Sequence, residues 1–131
     1  MKEKSLKTSL PKKIILLEDE AALAKLYYKK LSEAGHEVKL YTETQELLDA
    51  YESFEADAAI LDNTLKGEVR SGMELIPLLK KSNPKIKIAM LSNHSEFQME
   101  AAARKAGAND YLLKINMSPK QLVEYVDRLF I

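Results

Sequence analysis

Ala58-Ala59-Ile60-Leu61-Asp62 is a short apolar run that ends in a carboxylate. A run of this length, bounded by polar residues, is too brief for a helix and is typical of a strand buried on both faces of a parallel sheet. Asp62 would then lie at the carboxyl end of that strand. Because the ligand crevice of an open α/β sheet forms at this edge, the run indicates both the fold class and the place of a functional carboxylate.

A second apolar run, Ile14-Ile15-Leu16-Leu17, ends in the acidic residues Glu18, Asp19 and Glu20. If its strand lies beside the strand that ends at Asp62, carboxylates from both strand ends converge. Crowded carboxylates repel one another unless a cation or a lysine joins them. The cluster therefore predicts a bound divalent metal, retention of a proton by a carboxyl group, or both.

The remaining sequence alternates between short apolar runs and amphipathic stretches, which is typical of βα units around a parallel sheet. Strands are predicted at about 13–17, 36–41, 58–62, 85–92 and 111–113, and helices at about 20–34, 42–53, 72–82, 95–107 and from 118 onward. Capping-box spacing marks three helix starts, at Thr42 and Gln45, at Ser95 and Gln98, and at Ser118 and Gln121. Pro77 lies inside the third helical stretch, so that helix either starts late or is kinked.

Five strands alternating with five helices fit a doubly wound, flavodoxin-like α/β fold with strand order 2-1-3-4-5 and helices on both faces. Its switch point lies between the first and third strands, where the carboxylates would meet. The fourth strand ends in Ser92 and the fifth in Lys114. A hydroxyl and an ammonium opposite carboxylates suit phosphoryl chemistry, because a carboxylate can attack phosphorus while the other groups bind the phosphoryl oxygens.

Length and charge limit the classes of function. The 131 residues predict one domain, residues 13–131, after a basic and flexible tail of residues 1–12. Lys+Arg and Asp+Glu both number 20, so no global field favours direct binding to nucleic acid or to an anionic membrane. No stretch resembles a membrane span or a signal peptide, and we expect a cytoplasmic location. Without cysteine there is neither a disulfide nor a thiolate metal site.

The motifs, taken in order, resemble the receiver domain of two-component response regulators, of the single-domain, chemotaxis-regulator-like kind, over about residues 12–131. They are IILLEDE at 14–20, ILDNTL at 60–65, GMEL at 72–75, MLS at 90–92 and AGANDYLLK at 106–114. The resemblance implies that Asp62 accepts a phosphoryl group from a histidine kinase or a histidine phosphotransfer protein. The chain would then be a signalling phosphoprotein of a phosphorelay and not an enzyme.

The same resemblance assigns the other site residues. The implied ligands of Mg²⁺ are Glu18, Asp19, Asp62 and the backbone carbonyl of Thr64. Ser92 would be the hydroxyl that moves toward the phosphoryl group, Lys114 the lysine that pairs with it, and Tyr111 the aromatic side chain that turns inward. The face made by the fourth helix, the fifth strand and the fifth helix would change, and would contact a downstream protein partner or a second copy in a homodimer.

Three positions depart from the family pattern: Lys66 and Ile115 stand where prolines are usual, and Asn93 where a small residue is. The bond before Ile115 is expected to be trans, because cis bonds are essentially confined to proline. These departures leave open a receiver-like docking module that works without phosphorylation. A small aspartate-nucleophile phosphohydrolase is a further alternative, although Thr64 stands where such enzymes usually have a second carboxylate.

Overall fold

The computed structural model describes residues 10–63, 72–93 and 97–130. Its strands are β1 (Lys13–Leu17), β2 (Glu37–Tyr41), β3 (Ala58–Asp62), β4 (Lys87–Ser92) and β5 (Asp110–Leu113). Its α-helices are α1 (Ala21–Glu33), α2 (Thr44–Ala50), α3 (Ile76–Ser82), α4 (Phe97–Ala106) and α5 (Pro119–Leu129). The strands form one parallel sheet in the order β2-β1-β3-β4-β5, which confirms the predicted doubly wound topology. Most of the predicted tail lies outside the described residues, so its flexibility stays a prediction.

The core lies on both faces of the sheet. All five residues of β3 are buried, as expected for a central strand covered on both sides. Because side chains alternate along a strand, Ile15 and Leu17 face one hydrophobic cluster and Ile14 and Leu16 face the other. The first cluster includes residues of α2, α3 and α4, and the second includes residues of α1 and α5. The sheet edge that carries the acidic residues therefore rests on a core packed from both sides.

Two helix starts follow the predicted pattern. Pro77 occupies the first turn of α3, after a 3₁₀ turn at Gly72–Leu75, so the helix starts late and is not kinked. At α5, Ser118 Oγ accepts a hydrogen bond from the Gln121 amide and the Gln121 side chain accepts one from the Ser118 amide. That capping box is confirmed, whereas the one predicted at Ser95 lies outside the described residues.

The capping box predicted between Thr42 and Gln45 is wrong. Helix α2 begins at Thr44, and its N-cap Glu43 makes no side-chain cap hydrogen bond. The Thr42 amide instead donates to Glu46 Oε1 at 3.3 Å. The Glu46 carboxylate, one position further along the chain, takes the place of the expected glutamine contact, and the helix starts two residues later than predicted.

His36 is buried where β2 meets α5. Its Nδ1 accepts a hydrogen bond from the backbone amide of Lys12 at 3.0 Å. Its Nε2 has no hydrogen-bond partner among the described residues and lies 3.9 Å from Asp127 Oδ1. Burial lowers the pKa of His36, and the Asp127 carboxylate only partly opposes this while the Lys12 charge adds to it.

We expect the free energy of unfolding to decrease as the pH falls below about 6.5, the pKa of an exposed histidine. Below pH 6.5 the unfolded chain binds a proton at His36, whereas the folded chain binds it only at a lower pH, because burial lowers the pKa of His36. The contribution of neutral His36 to the free energy of unfolding is therefore complete above pH 6.5 and is lost as the pH falls to the folded pKa. Urea unfolding across this range measures it. The variant His36→Asn should show a weaker decrease, and an unchanged pH dependence in that variant would contradict the assignment.

None of the helices within the described ranges combines the length and the apolar character needed to cross a bilayer.

Candidate functional site

Strand register brings the acidic residues together. Leu17 pairs with Leu61 in the β1–β3 ladder, so Glu18 and Asp62 are the next residues along each strand. Both are fully buried, and Asp19 is partly exposed. Each of these three residues offers a carboxylate oxygen within 4.8 Å of the other two. The structure therefore places Glu18, Asp19 and Asp62 in one cluster at the predicted edge of the sheet.

Lys114 reaches this cluster from the end of β5. Its Nζ lies 3.0 Å from both oxygens of Glu18 and 3.1 Å from Asp62 Oδ2, and its side chain is only 7% exposed. Burial alone would lower the pKa of Lys114, but the hydrogen bonds and charges of Glu18 and Asp62 outweigh burial and raise it. The lysine therefore remains an ammonium ion between two buried carboxylates.

Ser92 is a fully buried hydroxyl at the end of β4. Asp62 pairs with Leu91 in the β3–β4 ladder, and Ser92 pairs with Leu113 in the β4–β5 ladder. Ser92 is thus one residue beyond the partner of Asp62 and beside the strand end that carries Lys114. All three side chains come from adjacent strand ends, as the order of the sheet predicts.

Gly72 approaches the backbone of Asp62 more closely than any other residue type could. A Cβ added at this position would collide with the carbonyl oxygen of Asp62 and contact Leu61 Cβ at 3.4 Å. Glycine is therefore required where the chain returns to the site, because it alone lacks that atom. In the sequence Gly72 was only part of a motif, and its contact with the acidic residue was not foreseen.

The chemistry of the cluster fits a small divalent cation. Carboxylate oxygens are the ligands that Mg²⁺ prefers, and one ammonium does not balance three carboxylates. Glu18 Oε2 accepts hydrogen bonds from Lys114 and from the Glu20 amide, whereas Oε1, although near the ammonium, has no hydrogen-bond partner among the described residues. That buried oxygen retains a lone pair for a further ligand. The carbonyl of Thr64 lies outside the described residues.

The other predicted site residues lie around this centre. Tyr111 pairs with Met90 in the sheet. Its side chain is partly buried and packs against the core cluster to which Met90 belongs. Asn93 is exposed at the end of β4. Ile115 is 88% exposed, and the described residues include no cis peptide bond, so the predicted trans bond before it is confirmed. Lys66 lies outside the described residues.

Tyr27 is a residue near the site whose role the sequence did not reveal. It lies on the buried side of α1 and is fully buried. Its hydroxyl, however, donates a hydrogen bond to the backbone carbonyl of Met117 at 2.8 Å. Burial, followed by the charges of Glu18, Glu20 and Asp62, raises the pKa of Tyr27 to about 12. A tyrosine in place of an aliphatic residue on an inward-facing stripe was the one available signal.

Comparison with known proteins gives consistent matches. The family model described as response regulator receiver domain matches residues 14–127. The two-component response regulator PhoP of Pseudomonas aeruginosa is 32% identical over 117 residues, which are 89% of this chain and 49% of that protein. The nitrogen assimilation regulatory protein NtrX of Azorhizobium caulinodans is 26% identical over 101 residues, 77% of this chain and 22% of that protein. The chain thus spans half or less of the length of these relatives.

Solved structures match over nearly the whole chain. The BeF3-activated receiver domain of DrrB is 27% identical, with a TM-score of 0.78, and the match covers 91% of this chain and 97% of that one. A CheY-like receiver domain protein of Methanospirillum hungatei JF-1 is 24% identical, with a TM-score of 0.82 over 92% of this chain and 94% of that one. The second likeness supports the fold alone.

Proposed function

Since the chain belongs to the response regulator receiver domain family of two-component systems, we propose that Asp62 accepts a phosphoryl group from a histidine kinase or a histidine phosphotransfer protein. One observation carries this proposal: Lys114 Nζ lies 3.0 Å from Glu18 and 3.1 Å from Asp62, and both carboxylates are fully buried. Burying charged groups is costly and adds little net stability compared with apolar packing. Function explains such a cluster better than folding does.

The protein groups that take part in the transfer all lie at this sheet edge. A carboxylate oxygen of Asp62 attacks the phosphorus of a phosphohistidine, the new P–O bond replaces the P–N bond, and the imidazole leaves with the electron pair. Lys114 neutralises negative charge on the phosphoryl oxygens. The Ser92 hydroxyl donates a hydrogen bond to one of those oxygens. Since the phosphoryl group comes from another protein, the chain acts as a phosphoacceptor and not as an enzyme with its own substrate.

Mg²⁺ is the cofactor in this proposal. Glu18, Asp19 and Asp62 would hold it with their carboxylates, and Thr64 with its backbone carbonyl, as the family resemblance implies. When bound, the ion supplies positive charge to the phosphoryl oxygens during transfer. Glu18 Oε1 suits this role because it is buried and has no hydrogen-bond partner among the described residues.

The signalling surface in this proposal is the face of α4, β5 and α5, which binds a downstream protein or a second copy. Side chains from all three elements are connected: Tyr125 donates to Asp110 Oδ2 at 2.6 Å, and Arg104 lies 3.9 Å from Asp110 Oδ1. Burial first, and then the Asp110 hydrogen bond, raise the pKa of Tyr125, so its hydroxyl stays a donor. Movement of Ser92 toward the phosphoryl group, with Tyr111 turning inward, would reach this connected face. This signalling would take place in the cytoplasm.

Incubation with phosphoramidate tests the proposal. We expect the intact mass to increase by one phosphoryl group when Mg²⁺ is present and to stay unchanged when the metal is chelated. No increase under either condition, with the fold intact, would favour the docking module that works without phosphorylation. Repeated hydrolysis of a phosphomonoester would instead favour the phosphohydrolase.

A further inference from the structure

Among the described residues, polar side-chain contacts hold the turn that carries Lys114 at two points, and the Met117 side chain also packs against the core cluster of α1 and α5. Lys114–Asn116 forms a 3₁₀ turn directly after β5, and the Met117 amide closes it by donating to the Lys114 carbonyl at 3.0 Å. At one point the Lys114 side chain contacts Glu18 and Asp62. At the other, the Met117 carbonyl accepts the hydrogen bond from Tyr27 at 2.8 Å. Ile115, between these points, is almost fully exposed and contributes little packing.

Two of the residues that hold the turn, Glu18 and Tyr27, lie close together in the sequence. Glu18 follows β1, and Tyr27 lies two turns into α1 with its ring fully buried. The buried ring fixes the position of the hydroxyl, and the hydroxyl fixes the Met117 carbonyl. A lysine side chain has many rotamers, so the place of its ammonium is defined only if the backbone that carries it is held as well.

We propose that Tyr27 is a positioning residue, whose hydroxyl holds the turn of residues 114–117 so that the Lys114 ammonium stays between Glu18 and Asp62. The inference rests on the proposed function in one respect, namely that this ammonium assists phosphoryl transfer to Asp62. Tyr27 itself does not touch the reacting atoms. Its hydroxyl acts through the Met117 carbonyl and the backbone of the turn.

The variant Tyr27→Phe tests this inference, because it removes the hydroxyl and retains the ring that fills the core. Tyr28→Phe is the matched control: it makes the same chemical change one residue along α1, at a side chain that is 43% exposed. We expect hydrogen exchange of the Met117 amide to become about tenfold faster in Tyr27→Phe, as the loss of one hydrogen bond predicts. Amides of β3, which report global opening, should change less.

Phosphoryl uptake gives a second readout. With Mg²⁺ and phosphoramidate, we expect the initial rate in Tyr27→Phe to fall about tenfold, because small displacements of a group that contacts the reacting centre slow transfer strongly. The rate in Tyr28→Phe should equal that of the wild type. A residue that only supported the fold would speed exchange at all amides together and leave the uptake rate of the folded protein unchanged.

Each outcome decides the inference. Equal uptake in Tyr27→Phe and wild type would overturn it, as would Met117 exchange no faster than in the Tyr28→Phe control. If the wild type takes up no phosphoryl group, the proposed function fails, but the exchange experiment still decides whether Tyr27 holds the turn. Faster hydrogen exchange in Tyr27→Phe at the Met117 amide than at the amides of β3 would support that role. An unchanged exchange rate of the Met117 amide would overturn it.

Discussion

Replacing Asp62 with asparagine is expected to abolish phosphoryl uptake from phosphoramidate in the presence of Mg²⁺. The amide has a similar shape but is neutral and is not a nucleophile, so no P–O bond can form at this position. The change also removes one of the three carboxylates that would hold the ion. Intact mass after incubation measures phosphoryl uptake, and we expect no increase in mass above background for this variant.

Asp49→Asn is a suitable control for this experiment. It makes the same substitution on the exposed surface of α2, where Asp49 accepts a hydrogen bond from Gln45 and is not one of the three clustered carboxylates. Uptake in this variant should equal that of the wild type. If Asp62→Asn still gained a full phosphoryl group, another residue would be the acceptor and the account would be wrong.

Replacing Lys114 with methionine should have the largest effect on stability. Methionine keeps the apolar length of the side chain but leaves Glu18 and Asp62 buried without their shared cation. Removing one partner of a buried ion pair costs about 3–5 kcal/mol, because the remaining charge stays desolvated. Without metal, urea unfolding should show a loss of this size. Mg²⁺ should restore part of it, because the metal ion supplies the missing positive charge.

Lys29→Met, at an exposed position of α1, controls for the general loss of a lysine and should change stability little. We also expect Lys114→Met to bind Mg²⁺ more tightly than the wild type does, since the ammonium no longer repels the cation. Equal stability of Lys114→Met and wild type without metal would show that the ammonium does not balance the buried carboxylates.

The centre of the site could be predicted because it depends on strand ends. Parallel strands in a known order bring their carboxyl ends to one edge, so Glu18, Asp62, Ser92 and Lys114 could be placed together without side-chain coordinates. Each lies at the end of an apolar run that is visible in the sequence. The alternation of strands and helices also predicted the order of the sheet, whereas the sequence left open whether α3 starts late or is kinked at Pro77.

Contacts between residues that are far apart in the sequence could not be predicted in this way. Tyr27 and Met117 are separated by 90 positions, and neither helical periodicity nor a motif links a buried tyrosine to a particular carbonyl. The collision that a Cβ at Gly72 would make with Asp62 likewise appears only once the chain has folded back. At Thr42 the local pattern was misleading, because Glu46 reached the amide that was assigned to Gln45.

Chemical localisation of the phosphoryl group tests the central claim most directly. An aspartyl phosphate is an acyl phosphate, which borohydride reduces to homoserine with release of phosphate, so peptide mass analysis after reduction identifies the acceptor. We expect homoserine at position 62 after incubation with phosphoramidate and Mg²⁺, and none when the metal is chelated. Homoserine at another position, or unmodified Asp62 in protein that has gained a phosphoryl group, would contradict it.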